Sequence, residues 1–167
     1  MKVREVMVSP VHVCRPQDTL ETAARLMWDH DCGMLPVVDR EGRVGAAITD
    51  RDVCMAALMR GQRLAELRVS EAMSRTVVGC APDEDVAAAA QRMAERQIHR
   101  MPVLDQNGRL CGVVSLNDLV LVGEYDADVG RAAARVLLAA CRHRASVPAV
   151  VPESSAPAAP HVSDARR

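Results

Sequence analysis

Leu35-Pro-Val-Val-Asp39-Arg-Glu-Gly42-Arg43 is answered 66 residues later by Met101-Pro-Val-Leu-Asp105-Gln-Asn-Gly108-Arg109. An apolar run, a proline, an aspartate and a glycine in the same order predict a strand closed by a tight turn. Aspartate can fold its carboxylate onto the turn backbone, and glycine accepts conformations that other residues resist. Carrying the offset outward lays residues 3–54 on 69–120 without a gap, and 15 of the 52 superposed pairs are identical. The chain is an internal duplication, and one copy explains the other.

Each copy reads alike. A short apolar run (11–14; 76–80) predicts a first strand. Asp18 with Glu21 three residues on has the form of a capping box, matched by the acids at 83–85. Apolar residues then recur at helical spacing, at Leu20, Ala23, Ala24 and Met27 and at Val86, Ala89, Ala90 and Met93. A second strand (35–38; 101–104), the turn, a third strand (44–48; 110–114) and a helix opened by Thr49 or Ser115 complete the unit. The expected fold class is α/β (α+β), with two strand-helix-strand-strand-helix repeats related by a pseudo-twofold axis. A unit of about 50 residues with three strands buries too little alone, so the two sheets should pack together and leave a cleft at their junction.

The boundaries expected are repeat 1 over 1–60, a linker over 61–68, repeat 2 over 69–122, a C-terminal helix over 123–146 and a disordered tail over 147–167. The C-terminal helix is alanine-rich, with Val136, Leu137 and Leu138 along it, and a core-facing or a dimer-facing role both remain open. The tail is dominated by Pro, Ala and Ser, a composition that cannot offset its ordering entropy.

Composition narrows the function. The net charge is -1, and Trp28 and Tyr125 are the only aromatic residues besides histidine. Neither a basic face nor stacking platforms are available, so nucleic acid is not an expected partner. No stretch has the length of a membrane span and no apolar signal segment opens the chain, so a cytoplasmic protein is expected. The six cysteines (14, 32, 54, 80, 111, 141) form no CxxC pair and are expected to behave as small hydrophobes, not as metal or redox groups. The five histidines (12, 30, 99, 143, 161) are scattered, and no metal, triad or phosphate-loop motif occurs. No catalytic set is found, and the chain is not expected to be an enzyme.

Two features remain as candidate chemistry. Thr49-Asp-Arg-Asp52 and Ser115-Leu-Asn-Asp118 share a hydroxyl residue three positions before an aspartate. That spacing suits a capping box, in which both side chains serve the helix terminus. It also suits a carboxylate accepting hydrogen bonds from vicinal ribose hydroxyls, with the helix N-terminus and Arg51 near a phosphate, although spacing alone favours the cap. His99-Arg100 is the sharpest asymmetry, because the equivalent positions are Gly33-Met34. A guanidinium offers a planar fork of donors to phosphate oxygens, and the imidazole adds another.

The repeat, its strand order, the Pro-Val-(Val/Leu)-Asp-x-x-Gly-Arg segment and the (Thr/Ser)-x-x-Asp motif resemble the cystathionine-beta-synthase (CBS) domain. Two in tandem resemble a Bateman module, with residues 1 to about 122 covered, as in small stand-alone bacterial CBS-pair proteins. The stretch 98–105, with 114–118, is also similar to nucleotide-binding repeats in the gamma subunit of AMP-activated protein kinase.

The resemblance implies an adenosine ligand (AMP, ADP, ATP or S-adenosylmethionine) in the cleft, no required cofactor, a homodimer, and an unidentified regulated protein. It places Asp52 and Thr49 at a ribose, with His99 and Arg100 at the phosphates of a composite site. Ser115, Asn117 and Asp118 would form a second site lacking the basic pair, suited to fewer phosphates or left empty. Position alone suggests Val13, Cys32 and Met34 as adenine walls. The alternative is a structural or protein-interaction module with vestigial clefts.

Overall fold

The computed structural model describes residues 1–143. The expectation of a disordered segment over 147–167 lies outside the described residues. The elements run α1 (Leu20–Asp29), β1 (Met34–Val38), β2 (Val44–Thr49), α2 (Asp50–Arg60), α3 (Val86–Arg96), β3 (Arg100–Leu104), β4 (Leu110–Ser115), α4 (Leu116–Gly123) and α5 (Ala127–His143). A single 3-10 turn opens each repeat, at Val3–Glu5 and Val69–Glu71.

β1 pairs antiparallel with β2, and β3 with β4, each hairpin carrying one irregularity, at Val37/Val38 and at Val103/Leu104. The turns form as their sequence dictates. Asp39 Oδ1 accepts from the amides of Glu41 (2.9 Å) and Arg43 (2.8 Å), and Asp105 Oδ1 accepts from those of Asn107 and Arg109 (both 2.8 Å). Gly42 and Gly108 sit at φ 79° and 74°, where a side chain would be strained. These amides, Arg43's first, hold the Asp39 carboxyl below its usual range. The two turns also meet each other, as Val44 N–H donates to Gly108 O (3.0 Å) and Leu110 N–H to Gly42 O (3.3 Å). The pseudo-twofold axis passes between them.

The expected first strands at 11–14 and 76–80 are corrected. Each contributes one parallel bridge, Cys14 to Val37 and Cys80 to Val103, and otherwise runs extended without a ladder. The prolines and polar residues around them leave too few paired positions for a strand. The Asp18 cap is corrected too. Thr19 caps α1, accepting from Thr22 N–H at 3.1 Å, while Asp18 accepts from Arg15 N–H one turn earlier. In the second copy Asp85 occupies the N-cap position without a side-chain cap bond and pairs with Lys2 at 2.8 Å.

Packing units do not follow the order of the chain. Val8 bridges Val113 on β4, while Val3 N–H donates to Glu84 O and Val86 N–H to Met1 O. The equivalent segment of the second copy crosses over: Ser74 bridges Ala47 on β2, and Val69 N–H donates to Asp18 O. Val3 and Val6 therefore belong to the core of the second half, with Val86, Met93, Met101 and Leu119. Leu67 and Val69 belong to the core of the first, with Leu20, Leu35, Ile48 and Val53. Each half is closed by the lead-in of the other.

α5 packs on α3 and α4, burying Val129, Ala132, Ala133 and Val136, so of its two open roles the core-facing one is found for these residues. The approach is close enough that a Cβ added at Gly123 would lie 2.7 Å from Gly130 Cα. Leu137 and Leu138 remain exposed. Cys14 and Cys80 fill the same slot in the two cores, and burial pushes both thiols up to about 12, so they stay protonated and pack as hydrophobes.

Val3→Ala should destabilise the protein by about 2 kcal/mol through lost burial and an unfilled cavity. Native-state hydrogen exchange should show the loss in β3, β4 and α3, and spare β1 and β2. Protection lost first in β1 and β2 would contradict the exchange of lead-ins.

Candidate functional site

Two clefts related by the pseudo-twofold axis lie between the halves. The first, about 410 Å³, takes Val8 to His12 from one lead-in, residues 30–34 from the α1–β1 connection, and Ser115, Asn117 and Asp118 from the start of α4. The second, about 360 Å³, takes Ser74, Thr76, Val77 and Val78, residues 97–100, and Thr49 to Asp52 from the start of α2. Applying the 66-residue offset converts one lining into the other almost residue for residue. Both volumes suit a small ligand.

The motif aspartates cap their helices. Asp52 Oδ2 accepts from Thr49 N–H (2.9 Å) and from the Thr49 hydroxyl (2.7 Å), and the Thr49 oxygen accepts from Asp52 N–H (3.2 Å). Asp118 does the same with Ser115, at 2.7, 2.6 and 3.4 Å. In both cases Oδ2 carries the whole cap. Oδ1 accepts no hydrogen bond from the described residues, and both aspartates line their cleft. The two readings of the motif are therefore compatible: one carboxylate oxygen fixes the helix and the other accepts from no described residue.

The idea that Thr49 and the free N–H groups of α2 hold a phosphate is corrected in part. The Thr49 hydroxyl already donates to Asp52, and Arg51 N–H donates to the Asp50 carboxylate at 2.7 Å. At α4, Leu116 N–H donates to His99 O at 2.8 Å. Only Asp50 N–H at α2 and Asn117 N–H at α4 are left unused by the described residues in these first turns, so the cationic side chains are the main donors for an anion.

Thr49, Arg51, Asp52, His99 and Arg100 meet in the second cleft, which brings the expected composite set together. Arg100 also lines the first cleft, so the Asp118 side, expected to lack the basic pair, has Arg100 but not His99. The reason lies at Gly33. A Cβ there would stand 3.1 Å from Arg100 Nη2 and 3.0 Å from Asp50 Oδ2, so the missing side chain gives the guanidinium its space. Cys32, beside it, has its thiol pKa raised by burial, a shift that the Arg100 charge partly opposes.

Of the three proposed apolar walls, Met34 lines both clefts and Cys32 the first. Val13 lines neither. The segment is not a regular strand, so alternation does not apply, and Val11 and His12 face the cleft in its place. Val77, Val78 and Ile98 serve the second cleft, as Val8, Pro10 and Val11 serve the first. Sequence reasoning also missed the pairing of His12 with His30, whose rings stack at 3.4 Å between centroids and 9° between planes. Eighteen positions apart in the chain, they carry no local signal; applying the offset to Val77 and Val78 would have pointed to Val11 and His12. Among the described residues no group of His, Cys, Asp or Glu has the arrangement of a metal site.

Comparison with known proteins identifies the repeated unit. The family model of the CBS domain matches twice, over residues 3–58 and 69–124. CBS domain-containing protein YhcV of Bacillus subtilis is 38% identical over 119 residues, covering 71% of this chain and 83% of that protein. The homoserine O-acetyltransferase of Methanococcoides burtonii is 32% identical over 117 residues, 70% of this chain but only 23% of the enzyme. Among solved structures, the CBS domain pair of protein MJ0100 in complex with 5'-methylthioadenosine and S-adenosyl-L-methionine is 27% identical with a TM-score of 0.68. The match covers 75% of this chain and 98% of that one.

Asp52→Ala and Asp118→Ala should each cost about 1 to 2 kcal/mol in thermal unfolding through loss of the cap. Asp52→Asn, which keeps an oxygen acceptor, should recover most of it. No loss for Ala would mean that the cap contributes nothing, and equal losses for Ala and Asn would mean that charge and not the acceptor oxygen carries it.

Proposed function

Since the chain belongs to the CBS domain family and carries two copies in tandem, we propose that it is a non-catalytic regulatory module binding adenosine-type ligands between its repeats. The observation that carries this reading is the pair of dyad-related clefts, each with a capping aspartate whose second oxygen is unused. A ribose hydroxyl donates to that oxygen, and because the cap already holds the carboxylate in place, little side-chain entropy is lost on binding. Adenine lies against the apolar lead-in, Val77 and Val78 in one cleft and Val8 to Val11 in the other. Phosphates extend toward Arg100, with Arg51 and His99 added in the second cleft.

The MJ0100 pair, which binds 5'-methylthioadenosine and S-adenosyl-L-methionine, supports adenosine as the common element of the ligand. The acetyltransferase, in which a related region is a minor part of an enzyme, supports a regulatory role toward other proteins. Isothermal titration with adenosine, AMP, ATP and S-adenosylmethionine tests the reading. Binding of at least one is expected, and Asp52→Ala with Asp118→Ala should abolish it. Silence for all four would leave a purely structural module. Arg100→Ala should weaken ATP about tenfold, the order of one charge-assisted contact, and adenosine hardly at all.

We also infer that the module self-associates through α2 and α4. Met55, Leu58 and Met59 on α2, Val120 and Leu121 on α4 and Tyr125 just after it are exposed, and Met55/Leu121 and Met59/Tyr125 are dyad-related positions. An apolar stripe repeated on both halves suits a second copy of the same chain. Sedimentation should give a dimer, and Leu58→Glu with Leu121→Glu a monomer. A wild-type monomer at every concentration would overturn the inference.

A further inference from the structure

We propose that Arg100 is a single cation shared by the two clefts, so that an anionic ligand in one weakens anion binding in the other. This rests on the nucleotide-binding reading above and extends it to the coupling between its sites. The positions lying between the clefts are Met34 and Arg100, which are dyad-related, and both line both cavities. An arginine on each side would give each cleft its own guanidinium. Here one side has a thioether.

The remaining charges sharpen the effect. The Asp52 cleft holds Asp50 and Asp52 against Arg51 and Arg100. The Asp118 cleft holds Asp31 and Asp118 against Arg100 alone among its arginines and lysines, because Asn117 stands where Arg51 does in the other. The histidines are likewise unequal, His99 on one side and the stacked His12 and His30 on the other. Arg100 makes no ion pair with a described residue, so its donors are open to a ligand. Once a phosphate in the Asp52 cleft draws the guanidinium to its side, the other cleft faces an incoming anion with two carboxylates and no arginine. A neutral ligand makes no such demand, so coupling should track ligand charge.

Titration calorimetry on the full chain and on two single-cleft variants reads this directly. Asp118→Ala leaves the Asp52 cleft and Asp52→Ala leaves the Asp118 cleft, with circular dichroism checking that each is folded. For adenosine, the wild-type isotherm should equal the sum of the two single-cleft isotherms. For ATP, the second wild-type step should be about tenfold weaker than either variant's single step, the order of one charge-assisted hydrogen bond. Arg100→Met, an exposed position given the residue of its twin, should weaken ATP at both clefts and restore additivity. ATP isotherms that are additive in the wild type would overturn the proposal and leave nucleotide binding intact. Absence of binding by adenosine, AMP, ATP and S-adenosylmethionine alike would instead remove the reading beneath it. Non-additivity that survives Arg100→Met would also overturn the proposal, since another group would then carry the coupling.

Discussion

The hydrogen bonds joining Val8 to Val113 and Ser74 to Ala47 decide how this chain is built, because each ties the lead-in of one repeat to the outer strand of the other. Val3 and Val69, both fully buried, ride on those lead-ins into the opposite core. Neither half can complete its core from its own repeat. The clefts follow from this exchange: the segment that crosses over also forms one cleft wall, opposite the helix start of the half it joins. Fold and site are thus two results of one crossing.

On the proposed function, the helix starts place a stability device and a binding group in the same side chain. Asp52 and Asp118 each have two oxygens, and the cap uses one. Their outward oxygens are held at fixed positions by bonds that exist with or without a ligand. Preorganisation of this kind lowers the ordering cost of binding. It also means that removing either acid has two effects, on the fold and on the cleft, which only separate measurements of stability and affinity can distinguish.

Much of this could be read from the residues because local chemistry repeats itself. The Asp-x-x-Gly-Arg turns, the buried faces of α1 and α3, and the box at Thr49 and Asp52 all depend on partners within a few positions, and each is found where its spacing puts it. What escaped depends on distance in the chain. The exchange of lead-ins joins residues from 27 positions apart (Ala47 and Ser74) to 105 apart (Val8 and Val113), and a duplicated sequence reads identically whether each lead-in stays with its own half or crosses. Val13 failed as a wall because a one-residue bridge does not impose strand alternation. Arg100 was assigned to one cleft because its reach across the axis depends on the absence of a side chain at Gly33, and a contact made possible by an empty space leaves no pattern in the sequence.

That empty space has a meaning for how such a molecule can vary. In an assembly of two separate single-repeat chains, every substitution appears on both sides of the axis, so a residue near the axis must tolerate its own image. Covalent duplication lifts that restriction. Gly33 opposite His99, and Met34 opposite Arg100, are differences that a true twofold would forbid, and they lie where the two copies face each other. Joining the copies in one chain lets the centre become unequal while the outer framework of turns, caps and cores keeps its symmetry.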